Sequence, residues 1–311
     1  MPCYKPLSAY QSLHEDARGK REVIFGNCVD SKGRSCAPIL LPCGQCIGCR
    51  LERSRQWAVR IMHEASLHER NCFLTLTFND EHLPSDYSLN VGTFQKFMKR
   101  YRKLCGPVRF FHCGEYGELN FRPHYHAIIF GHDFPDKIQS NVSANNPLFV
   151  SPTLNRLWPF GFASIGDVTF ESAAYVARYI TKKVTGDLAE SHYQRVIEAT
   201  GEIVNVAPEY TTMSRRPGIG AGWFEKYGSE VYPLDRVVMR GREMRPPRAY
   251  DQYLEARDIE IFKALKDKRK ELRELSCLSD DEYVQSLRRL PAREEFARLR
   301  QKTFSDRNKE F

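Results

Sequence analysis

The hydrophobic rhythm of the chain changes several times along its length. From Leu51 to Arg70, Trp57, Ile61, Glu64 and Ala65 recur at i, i+4, i+7 and i+8, the period of a helix. Phe73 to Phe78 is a β-rich run closed by Asn79-Asp80, which predicts a strand. Thr93 to Leu104 returns to the helical period, with Phe94, Phe97, Met98 and Tyr101 on one face and Gly106-Pro107 as the stop. Val108 to Glu115 and Pro123 to Phe130 read as two strands joined by a turn at Gly117-Glu118-Leu119-Asn120. Asp133 to Pro152 is polar and turn-rich, so an insertion loop is expected there. Phe162 to Phe170 reads as a further strand, and Ser172 to Val184 as a helix with Ser172 at its N-cap and Gly186 beyond its end.

Hairpin-linked strands followed by packed helices predict an α+β fold with a central antiparallel sheet. Three segments are expected. Residues 1–50 are rich in Cys, Gly and Pro and read as a loop-rich, Cys-rich metal module. Residues 51–235 carry the sheet. Residues 236–311 form a charge-dense helical tail, in which Leu254, Ile261, Leu265, Leu272 and Leu275 give a gapped apolar seam.

Composition changes this picture in two ways. The 47 Lys+Arg and 39 Asp+Glu give a net charge of +8, of which +5 belongs to residues 236–311. A central domain that binds a polyanion must therefore do so with local patches. No run of ~18 apolar residues is present, so no membrane span is expected. The N-terminal stretch lacks the apolar core of a secretory signal. Without export, ten cysteines are not a disulfide framework, and six of them precede position 50.

Pro42-Cys43-Gly44-Gln45-Cys46-Ile47-Gly48-Cys49-Arg50 is a C-x2-C-x2-C run. Such spacing lets thiolates face one ion across tight turns. The fourth ligand is expected from Cys3, Cys28 or Cys36. Zn²⁺ is the first choice and an iron–sulfur cluster the competitor.

Arg122-Pro123-His124-Tyr125-His126 carries the sharpest chemical signal. Alternate residues of a strand share a face, so His124 and His126 point the same way. Glu115, nine positions upstream in the preceding strand, is the expected third ligand. His112, Glu118 and His132 are its rivals. A carboxylate with two imidazoles leaves coordination positions open and suits Mg²⁺ or Mn²⁺. Alone, an H-x-H pair also describes two half-buried strand histidines.

On the helix from Ser172, Ala173, Val176, Ala177, Ile180 and Val184 gather on one side. Tyr175, Tyr179 and Lys182 gather on another, with Lys183 beside them. Two phenols one turn apart next to ammonium groups suit nucleophilic attack on a phosphodiester. The product is a covalent phosphotyrosine and a free 3′-hydroxyl.

With these residues in this order, the chain resembles the HUH endonucleases. Within them it is similar to the rolling-circle replication initiation proteins of gokushovirus-type microviruses. The resembling stretches are PCGQCIGCR, FLTLTFND, GEYGELNFRPHYHAIIFG, YVARYITKK and MSRRPGIGAGW. The resemblance implies an HUH-type sheet carrying the histidines, with the tyrosine helix packed across it. It implies a metal-dependent nickase and strand transferase acting on a single-stranded phage origin. Tyr175 and Tyr179 would alternate as nucleophiles, Tyr179 with Lys183 forming the minimal catalytic pair. It further implies a host bacterial cytoplasm, with host helicase and polymerase as partners. A transposase or plasmid relaxase shares the chemistry. Relaxases usually place the tyrosine ahead of a three-histidine cluster, which is not the order here. A zinc-stabilised DNA-binding protein without catalysis is the alternative from another class.

DNA contacts are expected from Arg122, Arg178, Lys182, Arg215 and Arg216, and from Lys96, Lys99, Arg100, Arg102 and Lys103 on the second helix. Phe111, Tyr116, Tyr125 and Trp223 are the candidates for stacking on unpaired bases.

Overall fold

The computed structural model of the chain describes residues 3–16, 19–117, 121–140, 147–178, 188–196, 201–275 and 285–307. It divides into two compact units, Met1–Glu52 with Ser276–Phe311, and Arg53–Leu275.

The first unit contains strands β1 (Leu7–Glu15), β2 (Arg21–Ile24) and β3 (Cys36–Leu41), an antiparallel sheet in the order β2-β1-β3. A loop-rich reading of residues 1–50 misses this sheet. Among the residues of β1 only Ala9 and Ser12 are buried, so the strand carries no alternating apolar signal. Polar contacts organise it instead. The buried Asp30 carboxylate accepts from Ser12 Oγ at 2.9 Å, from the backbone N–H of Lys32 and Arg34, and from Arg34 Nε at 2.7 Å. The helix Leu290–Arg307 belongs to this unit, where buried Glu294 pairs with Lys5 at 3.6 Å and Arg298 at 3.0 Å.

Helix α1 (Ile47–Ala65) carries the chain into the second unit. There follow β4 (Asn71–Phe78), α2 (Val91–Cys105), β5 (Arg109–Tyr116), β6 (Pro123–Phe130), β7 (Ile138–Gln139), β8 (Phe149–Val150), α3 (Pro152–Leu157), β9 (Gly161–Gly166) and α4 (Phe170–Arg178). Then come α5 (Leu188–His192), β10 (Gln194–Val196), β11 (Ile203–Asn205), β12 (Tyr210–Met213), α6 (Ala221–Val231), β13 (Val237–Met239), β14 (Arg242–Met244), α7 (Arg248–Arg257) and α8 (Ile259–Leu275).

Seven of these strands form one antiparallel sheet, ordered β12-β5-β6-β4-β9-β8-β7. Strand parity divides its core in two. Leu74, Leu76, Tyr125, Ala127 and Ile129 face α2 and α3, where Phe94, Phe97, Met98, Tyr101 and Trp158 are buried. Each such side chain contributes roughly 1.5–3 kcal/mol of burial. Phe73, Phe111, Ile128 and Phe130 face the other way, against Ala58, Ile61 and Ala65 of α1 and Ala173 and Val176 of α4. A further cluster joins α1, α6, α7 and α8 around Val59, Phe224, Tyr250 and Leu265.

Two expected elements differ. The strand expected to reach Phe170 stops at Gly166, and Phe170 already opens α4. Thr169, not Ser172, caps that helix: its Oγ1 accepts from Ser172 N–H at 3.1 Å, while Ser172 Oγ accepts from Thr169 N–H at 2.8 Å. The expected insertion loop contributes β7 and β8 to the sheet edge. Among the described residues no helix is long and apolar enough to cross a membrane.

Candidate metal centre and tyrosine helix

Antiparallel pairing of β5, β6 and β4 places Glu115 opposite His124, and His124 opposite Thr77. His126 lies one step along the same face, opposite Thr75. Ligand atoms of Glu115, His124 and His126 all lie within 4.8 Å of one another. Nε2 of each imidazole is 2.7 Å from the same oxygen, Glu115 Oε1.

The far side of each ring is also held. His124 Nδ1 lies 3.1 Å from the Arg122 carbonyl, and His126 Nδ1 lies 3.0 Å from Thr75 Oγ1. A carbonyl only accepts, so His124 Nδ1 must donate. In the neutral ring Nε2 is then a lone pair aimed at a carboxylate oxygen. That contact requires positive charge between the two atoms, from a second proton or from a cation. Two protonated rings with centroids 5.0 Å apart would repel each other, so one shared cation suits the group better. Imidazoles anchored through the second nitrogen are characteristic of metal ligands. Burial opposes the charge of Glu115, but its contacts with the two imidazoles outweigh it and hold the carboxyl down at about 2; a shared cation would act in the same direction.

Helix α4 crosses this face and brings Tyr175 to the cluster. Its hydroxyl donates to Glu115 Oε1 at 3.4 Å, and its ring stands edge-on to His126 with centroids 5.2 Å apart. The Arg178 guanidinium lies over the Tyr175 ring, 5.7 Å from its centre. Tyr179, Lys182, Lys183 and the rival ligand Glu118 lie outside the described residues. His112 is buried on the opposite face, stacked on Phe94 and 2.9 Å from Thr212 Oγ1; His132 lies 2.6 Å from the Tyr101 hydroxyl.

In the first unit a second group gathers, Cys3 with Cys43, Cys46 and Cys49, again within 4.8 Å. Cys28 and Cys36 stand apart; Cys36 Sγ donates to the Arg34 carbonyl. Three sulfurs already receive backbone N–H groups: Cys46 from Tyr4 at 3.3 Å, Cys3 from Cys43 at 3.3 Å, and Cys43 from Cys46 at 3.2 Å. Burial opposes ionisation of Cys46, but N–H groups of Cys49 and Tyr4 outweigh it and bring that thiol down to about 7. The Cys3 and Cys46 sulfurs are 3.9 Å apart. Tetrahedral bonds of ~2.3 Å imply about 3.8 Å. Both groups could hold a metal ion.

The expected DNA contacts divide. Arg215 and Arg216 are exposed on a loop that is firmly held beneath. Buried Glu64 pairs with Arg109 and accepts from Gly220 N–H at 2.7 Å. Arg109 Nη2 donates to the Pro217 and Gly218 carbonyls, and Arg60 Nε to that of Ile219. Arg122 is engaged by the Phe78 carbonyl at 2.8 Å and by Asp80. Lys96, Lys99, Arg100, Arg102 and Lys103 ride on α2, which covers the opposite face of the sheet from the histidines. They do not neighbour the candidate centre, because the apolar stripe of α2 turns its charges away from the sheet.

Three of the expected stacking aromatics are corrected too. Phe111 and Tyr125 are 0 % exposed and Tyr116 8 %. Tyr125 and Tyr116 alternate with the ligand residues and so point into the α2 core. Trp223 is half-buried, stacked on His63 with centroids 3.5 Å apart.

A family model described as "Replication-associated protein ORF2/G2P" matches residues 71–184, the stretch holding both histidines and Tyr175. The replication-associated protein VP4 of Bdellovibrio phage phiMH2K is 30% identical over 295 residues, covering 90% of this chain and 87% of its own. The replication-associated protein ORF2 of Spiroplasma virus 4 is 31% identical over 231 residues, 69% of this chain and 68% of its own. The replication-associated protein ORF4 of Chlamydia phage 1 is 30% identical over 230 residues, which span 53% of its length. No solved structure matches the chain.

Proposed function

Because the chain belongs to the family of phage replication-associated proteins, we propose that it initiates rolling-circle replication by nicking one strand of the origin, with Tyr175 as a nucleophile. The observation that carries this reading is the hydrogen bond from the Tyr175 hydroxyl to Glu115 Oε1, the oxygen that both histidines face.

In this reading Glu115, His124 and His126 hold Mg²⁺ or Mn²⁺, as in HUH endonucleases. When bound, such an ion draws charge from the non-bridging oxygens of the phosphodiester. The phenolic oxygen of Tyr175 attacks phosphorus, and the bond to the 3′-oxygen breaks. That oxygen takes a proton and leaves as a free 3′-hydroxyl, while the 5′-phosphate stays on tyrosine. The phenolic proton is lost as the bond to phosphorus forms, and the Arg178 guanidinium over the ring offsets the charge that passes through the phenolic oxygen. Attack by another 3′-hydroxyl on the phosphotyrosine reverses the step and rejoins a strand. Tyr179, four positions on in the sequence, takes the second strand end, with Lys183 as its catalytic partner. Arg215 and Arg216 grip the strand's phosphates, joined by Arg122, Arg178 and Lys182. Cys3, Cys43, Cys46 and Cys49 hold a structural Zn²⁺. The host's helicase and polymerase then extend the freed 3′ end.

The test is incubation of the full chain with circular single-stranded phage DNA and Mn²⁺ or Mg²⁺. A metal-dependent protein–DNA adduct mapping to Tyr175 or Tyr179 is expected. Absence of both adduct and nicking across a broad set of origin-like sequences overturns the reading.

A further inference from the structure

We infer that Phe162 is a stacking platform for an unpaired base of the strand being cut. The inference rests on the reading that the chain handles single-stranded DNA, and it adds a subsite to that reading.

Pairing across four strands makes one row: Glu115 opposite His124, His124 opposite Thr77, Thr77 opposite Phe162. Directly opposed residues share a face of a sheet. Phe162 therefore stands on the face of the candidate centre, two strands from His124, about 10 Å away by the ordinary strand spacing. That is a short reach along a nucleic-acid strand whose phosphate lies at the centre.

Its surroundings differ from those of the large apolar residues that flank the histidines on this face. Phe73, Phe111, Ile128 and Phe130 pack under α1 and α4. Phe162 is 70 % exposed. Its neighbours on the face, Thr75, Thr77 and Ser164, are small, half-buried hydroxyl residues that leave a flat ring room to lie above it.

The backbone beneath is fixed. Gly161 has φ +148°, and a Cβ there would come within 2.3 Å of Asn79 N and 2.5 Å of Thr77 O. Glycine lets β9 begin hard against β4, and the Asn79 N–H donates to the Phe160 carbonyl at 2.9 Å. Phe162 is thus an apolar ring on a rigid strand, held in water beside a candidate phosphodiester site. A phenyl ring has no polar handle for a phosphate, but it offers a face to any base. Base–aromatic stacking of this kind tolerates sequence.

The test uses the full chain carrying Tyr175→Phe, without divalent metal, so that binding is read apart from cleavage. Anisotropy compares a labelled oligothymidylate with an abasic oligomer of equal length and charge. Phe162→Ala is expected to weaken oligothymidylate binding about 5- to 100-fold and to leave abasic binding nearly unchanged. Phe162→Trp should keep the affinity, and its added fluorescence should be quenched by oligothymidylate alone. Equal loss on both oligomers, no loss at all, or an unquenched Phe162→Trp overturns the inference. So does a parent that binds both oligomers equally, whatever its nicking activity. Conversely, base-dependent binding without any adduct in the tyrosine-bearing chain counts against the nickase reading alone.

Discussion

Thr75 and His126 oppose each other across the β4–β6 ladder, and Thr75 Oγ1 lies 3.0 Å from His126 Nδ1. This contact sets the ring so that Nε2 faces Glu115. Thr75 is therefore a positioning residue. Thr75→Val keeps the shape and removes the hydroxyl, and should weaken Mn²⁺ binding about 10- to 100-fold. Thr75→Ser should restore most of it. Isothermal titration with Mn²⁺ checks this, and unchanged affinity in Thr75→Val removes the residue from the role.

Tyr175 lies against the cluster while the neighbouring apolar face of α4 fills the core. Replacing Tyr175 and Tyr179 together by Phe removes two hydroxyls and leaves both rings. DNA binding should stay within about threefold, while cleavage falls by about 10³-fold or more. A gel shift beside a nicking assay separates the two effects. Residual nicking by the double variant at the parent rate would mean the nucleophile is elsewhere.

The cysteine group makes a sharper statement about Cys3 than about its neighbours. Elemental analysis should give about one zinc per chain. Cys3→Ser should lower that content and the melting temperature, whereas Cys28→Ser and Cys36→Ser should change neither. Iron with visible colour in the purified protein would replace zinc in this account.

His63 is buried between Trp223 and Tyr250, and burial lowers its pKa to about 4. The unfolded chain takes up that proton near pH 6.5. Between pH 6.5 and about 4 the unfolded state therefore binds more protons, and stability falls as pH falls. His63 contributes in full above pH 6.5, and loses about 1.4 kcal/mol per unit below it, roughly 3 kcal/mol by pH 4. Urea titrations at pH 7, 5 and 4 should show a steeper acid loss for the parent than for His63→Gln. Parallel curves would contradict the assignment.

What could be read from the sequence depended on range. The geometry of Glu115, His124 and His126 was legible because strand parity is local and a hairpin brings β5 beside β6. The same parity, applied to Tyr116 and Tyr125, would have removed them as stacking residues. Phe162 was not legible, since its placement depends on which strand pairs with β4. The face covered by α2 was hidden for the same reason: an apolar stripe says that a helix packs, not on which side. Cys3 was one of three equal choices, because the 39 residues between it and Cys43 carry no spacing signal. The three strands of the first unit escaped because polar contacts such as those of Asp30 hold them.

The first unit is discontinuous: the helix Leu290–Arg307 belongs with the first 52 residues. Synthesis therefore separates partners such as Lys5 and Glu294 in time. At ~5–20 residues per second, the ribosome needs about 10–45 s to make the intervening stretch. The β4–β9 unit is complete in the chain before the last helix exists. Until that helix is made, Lys5 lacks its Glu294 partner, so residues 1–52 complete their unit only after the rest of the chain has been synthesised.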